Sequence, residues 1–162
     1  MKKMLALSLA LLLLAGCGGM KEMSVEGTVF SYGNERFDMT ERVPEINAAM
    51  FYDTVGSYVV VQSHINPKNS AYSVFDTKKG EFVKDIIASN MIWRDNDIST
   101  AVYTFKDKLY NYEGDVIGSF ALNEHDFVGE LSFDDVVNSV LVTIMTESSQ
   151  RVEALPLPEQ KK

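Results

Sequence analysis

Two short acidic segments contain the side chains best suited to metal binding or acid–base chemistry. In the first, Asp95, Asn96 and Asp97 are consecutive, and their carboxylate and amide oxygens are the ligand type that Ca²⁺ prefers. A calcium loop spaces its ligands along a longer segment and ends with a Glu, whereas Ile98 and Ser99 follow here. Because Asp and Asn also form turns by accepting nearby backbone N–H groups, we interpret this segment as a turn.

The second acidic segment is the pair Asp134 and Asp135, which precedes two valines. Neighbouring carboxylates can act as general acid and general base when the fold places them in a cleft. With Asp95 they are the candidates for a glycan hydrolase or lyase. The sequence contains no phosphate-binding loop, nucleophile elbow or H-E-x-x-H motif. We therefore assign no catalytic residue, no metal site and no cofactor, and expect a binding role rather than an enzymatic one.

The densest aromatic group surrounds an arginine. Trp93 and Arg94 are adjacent, and Tyr110 and Tyr112 share one face of a predicted strand. Aromatic rings together with Arg are typical of protein interfaces and of sugar-stacking platforms. We predict that these four residues form a binding surface for a protein or a glycan. The alternative is that one face of this hairpin is core and the other is ordinary surface.

The single cysteine, Cys17, follows a segment with the shape of an export signal. Lys2 and Lys3 precede an apolar run over 4–15, which is shorter than the about 20 residues that a membrane-spanning helix needs. The run ends in Leu14-Ala15-Gly16-Cys17, which resembles the lipobox of bacterial lipoproteins. The resemblance implies that Cys17 receives a diacylglyceryl group and that a peptidase removes residues 1–16.

This resemblance also implies a location. Since each buried CH₂ group contributes about 0.8 kcal/mol, two or three acyl chains on Cys17 would hold the protein on membrane lipid. The site would be the bacterial cell envelope, either the periplasmic side of an outer membrane or the outer face of a plasma membrane. We expect a lipidated tether over 17–24, an all-β domain over 25–155 and a disordered tail over 156–162.

The charge of the chain restricts its partners. Its 162 residues contain 23 acidic and 15 basic side chains, for a formal charge of −8. Removal of residues 1–16 takes away two lysines and no acid, which leaves −10. Such a surface does not suit nucleic acid, which requires clustered Lys and Arg. It favours solubility or binding to basic proteins, and an inhibitor of a basic secreted enzyme such as lysozyme is one alternative function.

The composition after the export signal predicts strands. From Cys17 onward there are 17 Val and 8 Ile but only 6 Leu, and β-branched residues favour strands. Three segments read as strand, glycine turn and strand, with their turns at Gly33, Gly80 and Gly114. The best helical candidate is the short segment Pro44 to Met50.

A repeat of about 40 residues links these hairpins. Val59, Ala101 and Val140 occupy corresponding positions, 42 and 39 residues apart. Residues 72–82 resemble the turn between the third and fourth strands of WD40-like and quinoprotein-like β-propeller blades, and residues 109–116 resemble the same turn. The resemblance implies an antiparallel meander of four-stranded, blade-like units, with a β-sandwich or barrel as the alternative. A homo-oligomer would be one way for such units to complete a ring.

Overall fold

The computed structural model describes residues 21–158, and over this range the chain forms β-strands, turns and one short 3-10 helix. The predicted lipobox with Cys17 and the end of the predicted tail lie outside the described residues. No helix within 21–158 is long and apolar enough to cross a membrane. The fourteen strands of this range are β1 (Met23–Glu26), β2 (Val29–Tyr32), β3 (Glu35–Asp38), β4 (Ala48–Val55), β5 (Tyr58–Asn66), β6 (Asn69–Asp76), β7 (Glu81–Ala88), β8 (Asn90–Arg94), β9 (Asp97–Phe105), β10 (Lys108–Asn111), β11 (Val116–Ser119), β12 (Phe127–Asp134), β13 (Ser139–Met145) and β14 (Gln150–Pro156).

The strands form four antiparallel sheets in chain order, so the predicted all-β meander is confirmed. The first sheet contains β1 to β3, the second β4 to β7, the third β8 to β11 and the fourth β12 to β14. Each strand pairs with its neighbour along the chain, and the two inner sheets have the predicted four strands. Among the described residues none of the sheets closes on itself, so the barrel alternative is wrong.

The predicted glycine turns lie where the chain reverses. Gly33, Gly80 and Gly114 have φ values of 62°, 73° and 101°, a region that a Cβ disfavours. The helical prediction for residues 44–50 is wrong, because β4 already begins at Ala48. The 3-10 helix lies earlier, at Met39–Glu41, where the Asp38 side chain accepts a hydrogen bond from the backbone N–H of Thr40 at 3.0 Å.

The sheets stack face to face, with an apolar core between each consecutive pair. Alternate residues of one strand face opposite cores, since successive side chains point to opposite sides of a sheet. Val59 and Val61 of β5 belong to the core shared with the first sheet, whereas Val60 belongs to the core shared with the third. Likewise Ala101 of β9 faces the second sheet, and Val102 faces the fourth.

The cores at the two ends of the stack differ in composition. In the core between the first and second sheets, four phenylalanines pack with ring centroids 5.1 to 6.2 Å apart. They are Phe30, Phe37, Phe75 and Phe82. The core between the third and fourth sheets is mainly aliphatic, with Leu109 and the inner side chains of β13 fully buried.

Candidate functional site

The acidic segment around Asp95 forms the turn between β8 and β9. Asp95 and Asn96 have positive φ values of 51° and 55°, as the central residues of a tight hairpin require. The Asp97 carboxylate accepts hydrogen bonds from the backbone N–H and the hydroxyl of Ser99, at 2.9 and 2.8 Å. The turn interpretation is therefore confirmed. Within residues 21–158 no group of three or more acidic, His or Cys side chains is placed to hold a metal ion.

This turn connects to the corresponding turns of both neighbouring sheets. The side-chain oxygen of Asn96 accepts a hydrogen bond from the backbone N–H of Gly56, in the β4–β5 turn, at 2.7 Å. Gly56 is required there, since a Cβ would lie 3.1 Å from the Asn96 carbonyl oxygen and φ is +60°. On the other side, Arg94 Nη1 lies 3.2 Å from a carboxylate oxygen of Asp135, in the β12–β13 turn. The three turns consequently form a row at one end of the stacked sheets.

The carboxylates proposed for acid–base chemistry hold these turns together. Asp134 accepts hydrogen bonds from the backbone N–H groups of Val136 and Val137, at 3.0 and 3.4 Å. Asp135 is 80% exposed and forms the ion pair with Arg94. Each carboxylate has a different partner, and this arrangement supports a structural role better than a shared catalytic one.

The four residues predicted as one binding surface lie on two sides of the third sheet. Trp93 and Tyr112 pack against the core shared with the second sheet, whereas Arg94 stacks on Phe133, which packs against the core shared with the fourth. Trp93 and Arg94 are separated because consecutive strand residues face opposite ways. Tyr110 lies on the Trp93 side, since it stacks with Tyr103.

The tyrosines on this side are partly covered. The Tyr103 and Tyr110 rings are stacked at 5.1 Å with an interplanar angle of 9°. The Tyr112 ring lies 4.3 Å from Lys84 Nζ, which also donates a hydrogen bond to the Tyr112 carbonyl oxygen. Burial raises the pKa of Tyr103, and the nearby Tyr110 raises it further. Burial is also the main cause of the raised pKa of Tyr112.

Arg94 lines a cavity of about 220 Å³ between the third and fourth sheets. Its guanidinium carbon lies 4.0 Å from the ring centroid of Phe133. Only Nη1 has an acidic partner, whereas Nε and Nη2 are shielded from solvent and have no hydrogen-bond acceptor. Buried charged donors without acceptors are uncommon in folded proteins. The other lining residues include Ser99, Thr100, Asn111, Ile117, Asn138 and Leu157.

A second candidate surface, missed at the sequence level, is the outer face of the fourth sheet. The inner side chains of β13 fill the core, so the register places Leu141 and Met145 on the opposite side. We call this surface the apolar end face. Its apolar members are Phe127, Leu141, Met145, Val152, Ala154 and Pro156. Val152 and Phe127 are 55% and 40% exposed, respectively.

Acidic side chains outnumber basic ones in the segment that forms the fourth sheet. Five acidic residues and a single basic one, Arg151, lie within 127–156. Arg151 is directed away from the face, where it binds Asp126 at 3.0 Å and Glu153 at 3.4 Å. The five acids of this range are Glu130, Asp134, Asp135, Glu147 and Glu153.

The outer face of the first sheet is the opposite case. Phe30 and Tyr32 of β2 point into the core, so Ser31 and its cross-strand partners point outward. These outward residues are mainly polar and mostly exposed, and they are Ser24, Glu26, Val29, Ser31, Arg36 and Asp38. The outer face of the fourth sheet is therefore more apolar than that of the first.

Comparison with known proteins identifies no relative of this chain. No protein-family model, no curated protein and no solved structure matches the chain. The two candidate surfaces, the Arg94 cavity and the apolar end face, consequently have to be interpreted from their own geometry and charge.

Proposed function

We propose that this protein is a lipid-anchored lipoprotein of the bacterial cell envelope whose β-domain binds a basic partner protein through the apolar end face. The lipobox ending in Cys17 supports the anchor and the location, and the end face supports the binding role. The protein acts as a recognition or assembly module and not as an enzyme. Its host has either one or two membranes, and in both cases the domain lies beside the membrane that holds Cys17.

The apolar end face is the observation that carries this proposal. Strands covered on both sides have nearly continuous apolar sequences, whereas strands covered on one side alternate. In β13 the inner residues Val140 and Val142 are fully buried, and the outer residues Leu141 and Met145 are also apolar. Leu141 and Met145 thus place apolar surface on the outer side of β13, beside Ser139 and Thr143, and the residues described here cover only its inner side.

The charge around the face defines the chemistry of the partner. Glu130 projects from the face itself, opposite Thr143, and the segment 127–156 has five acidic side chains but one basic side chain. Two copies of this face would bring like charges together, which is unfavourable, so a second copy fits less well than a basic protein. A glycan also fits less well, because Phe127 is the single aromatic ring on the face and sugars stack on such rings.

Inhibition of a basic secreted enzyme is a specific form of the same function. The excess of acidic side chains in this segment favours such a partner, and lysozyme is the simplest probe. This form predicts that lysozyme binds the mature domain at low salt and that binding weakens as salt increases. Absence of binding at low salt would remove this alternative and leave the general proposal in place.

The anchor is tested by replacing its acceptor atom. We expect Cys17→Ser to abolish labelling by a fatty-acid analogue and to leave the unprocessed precursor, because serine provides no thiol for the diacylglyceryl group. Labelling that persists in Cys17→Ser would contradict the lipoprotein assignment. Wild-type protein grown with the same analogue is the positive control.

The partner is tested by site-specific crosslinking in intact cells. A photoreactive side chain at Ala154, on the apolar end face, is compared with one at Ser31, on the polar face. We expect a specific crosslink from position 154 only, to a protein whose purified form then binds the domain in a salt-sensitive manner. Crosslinks only between copies of this chain, or equal crosslinks from both positions, would overturn the proposal.

A further inference from the structure

We propose that the Arg94 cavity is a second binding site, which takes a carboxylate carrying a small apolar group, and that Asp135 occupies the guanidinium when this ligand is absent. The site differs from the apolar end face in position, since it lies between the third and fourth sheets. It also differs in chemistry, because its central group is a cation.

The hydrogen bonding of Arg94 is incomplete compared with that of Arg42. Both guanidinium groups lie over a phenylalanine, at 4.0 Å for Arg94 on Phe133 and 4.6 Å for Arg42 on Phe82. Arg42 binds both oxygens of Asp85, at 3.2 and 2.6 Å, as a guanidinium fork does with a carboxylate. Arg94 has one acidic contact and two nitrogen atoms without acceptors.

Nε and Nη2 of Arg94 form one complete edge of the guanidinium fork. A carboxylate can accept two parallel hydrogen bonds from such an edge, which is the strongest neutralisation available to Arg. Leaving both donors buried without an acceptor costs free energy that a bound oxyanion would recover. The incomplete bonding of Arg94 therefore points to an acidic ligand.

Asp135 is suited to act as a removable partner. It is 80% exposed, and exposed ion pairs contribute little to stability because water competes with them. Rotation of its side chain away from Nη1 would free the guanidinium without disturbing the turn, since Asp134 accepts the backbone hydrogen bonds that shape it. With Asp135 released, the guanidinium can turn its covered Nε–Nη2 edge toward a ligand carboxylate in the cavity.

The walls of the cavity indicate what accompanies the carboxylate. Ile117, Phe133 and Leu157 provide apolar surface, and Asn111 and Asn138 provide amide groups. The cavity volume of about 220 Å³ is larger than that of one water molecule, which is about 30 Å³. It is smaller than a drug-sized pocket, which has at least about 300 Å³. A group the size of one apolar side chain fits these limits. Free inorganic phosphate has no apolar part and should bind more weakly.

The test is a titration of the mature lipoprotein in detergent micelles with 4-methylpentanoate. The ¹⁵N-labelled protein is observed through the Nε–H signal of Arg94, with neutral 4-methylpentanamide and inorganic phosphate as comparison ligands. We expect a saturable shift with the carboxylate, a weaker one with phosphate and none with the amide.

Three variants separate this site from general charge effects. Because an exposed ion pair is worth about 0.2 to 1 kcal/mol, Asp135→Asn should tighten carboxylate binding about 1.4- to 5-fold. Arg94→Lys keeps the charge but loses the fork, so binding should fall about 10-fold or more, now followed through the ring signals of Phe133. Arg42→Gln, at the arginine that is already paired, should leave the affinity unchanged.

The proposal fails on either of two results. One is the absence of any saturable shift in Asp135→Asn, which keeps Arg94 and the cavity intact. The other is equal carboxylate affinity in wild type and Arg94→Lys, which would show that the fork is not used. Neither result bears on the apolar end face, whose crosslinking test is independent of Arg94.

Discussion

The first and fourth sheets are the two ends of one stack, but their outer faces differ in polarity. Both have three strands, and both bury one face against a four-stranded neighbour. The outer face of the first sheet presents mainly serine and charged side chains around Ser31. The outer face of the fourth presents six apolar side chains, with Val152 55% exposed. Repeated, stacked units need a polar outer face at each end for solubility, and the fourth sheet meets this need less well than the first.

The two end sheets also differ in how they complete the stack. The first sheet closes the stack, and its core of four phenylalanines attaches it firmly to the second sheet. The outer side of the fourth sheet is less polar, because Leu141 and Met145 of β13 lie there beside Ser139 and Thr143. Under the proposed function, this outer side is covered by another molecule.

The largest expected effect concerns the core under the polar end. Phe30→Ala should lower the free energy of unfolding by about 3–5 kcal/mol, since Phe30 is fully buried among the other phenylalanines. Its neighbour Ser31 faces outward, and Ser31→Ala should change the same quantity by less than about 0.5 kcal/mol. Urea unfolding measures both. Similar losses for the two variants would show that the first sheet does not separate an inner from an outer face.

A smaller effect is expected at the apolar end. A Cβ at Gly129 would lie 2.6 Å from Cγ and 3.2 Å from Sδ of Met145, so this side chain must move in Gly129→Ala. We expect a loss of about 1–2 kcal/mol in unfolding free energy from this overpacking. Ser132→Ala, on the outer side of the same strand, is the matched control and should have almost no effect. Equal stability of the two variants would mean that Met145 is not held over Gly129.

The smallest effect is a pH dependence that also distinguishes the two ends. Arg151 and the backbone N–H of Asn123 hold the pKa of Asp126 below its ordinary value. The resulting stability is present above the unfolded pKa of about 3.9 and is lost as the pH falls through the folded pKa. Asp126→Asn should therefore lower the urea midpoint at pH 7, and the difference from wild type should shrink on acidification below about pH 3.9.

Asp38, at the polar end, provides the comparison for this measurement. Its pKa is also lowered, by the side chain and backbone N–H of Thr40 two residues away. Asn is an equally good N-cap residue, so Asp38→Asn should change the urea midpoint less than Asp126→Asn at pH 7. A larger change in Asp38→Asn would contradict the view that the ion pair of Asp126 helps to hold the fourth sheet.

Local sequence signals were sufficient to predict much of the fold. Glycines at positions 33, 80 and 114 mark three tight turns, and β-branched residues define the strands between them. The sequence pattern marks β14 only weakly, because its inner side chains Arg151 and Glu153 are charged and conceal the alternation with Val152 and Ala154. In this strand the apolar residues point outward and the charged ones inward, which is the reverse of the pattern expected for a strand at the surface.

The candidate sites were less predictable because they depend on contacts between distant residues. Trp93 and Arg94 are adjacent in sequence but face different cores, so their proximity was misleading. The ion pair of Arg94 with Asp135 joins two sheets across 41 positions of the chain. The apolar end face depends on which sheet is last in the stack, and no local pattern contains that information.

The most direct test of the central claim is the affinity of the partner captured at Ala154 for two variants with the same charge change. Val152→Glu places the charge on the apolar end face, and Ser31→Glu places it on the polar face. With both variants folded, we predict that Val152→Glu weakens binding at least about 30-fold, the effect of losing an interface hot spot, and that Ser31→Glu leaves it unchanged. Equal affinities for the two variants would contradict the proposal that the fourth sheet, unlike the first, is built to be covered by another protein.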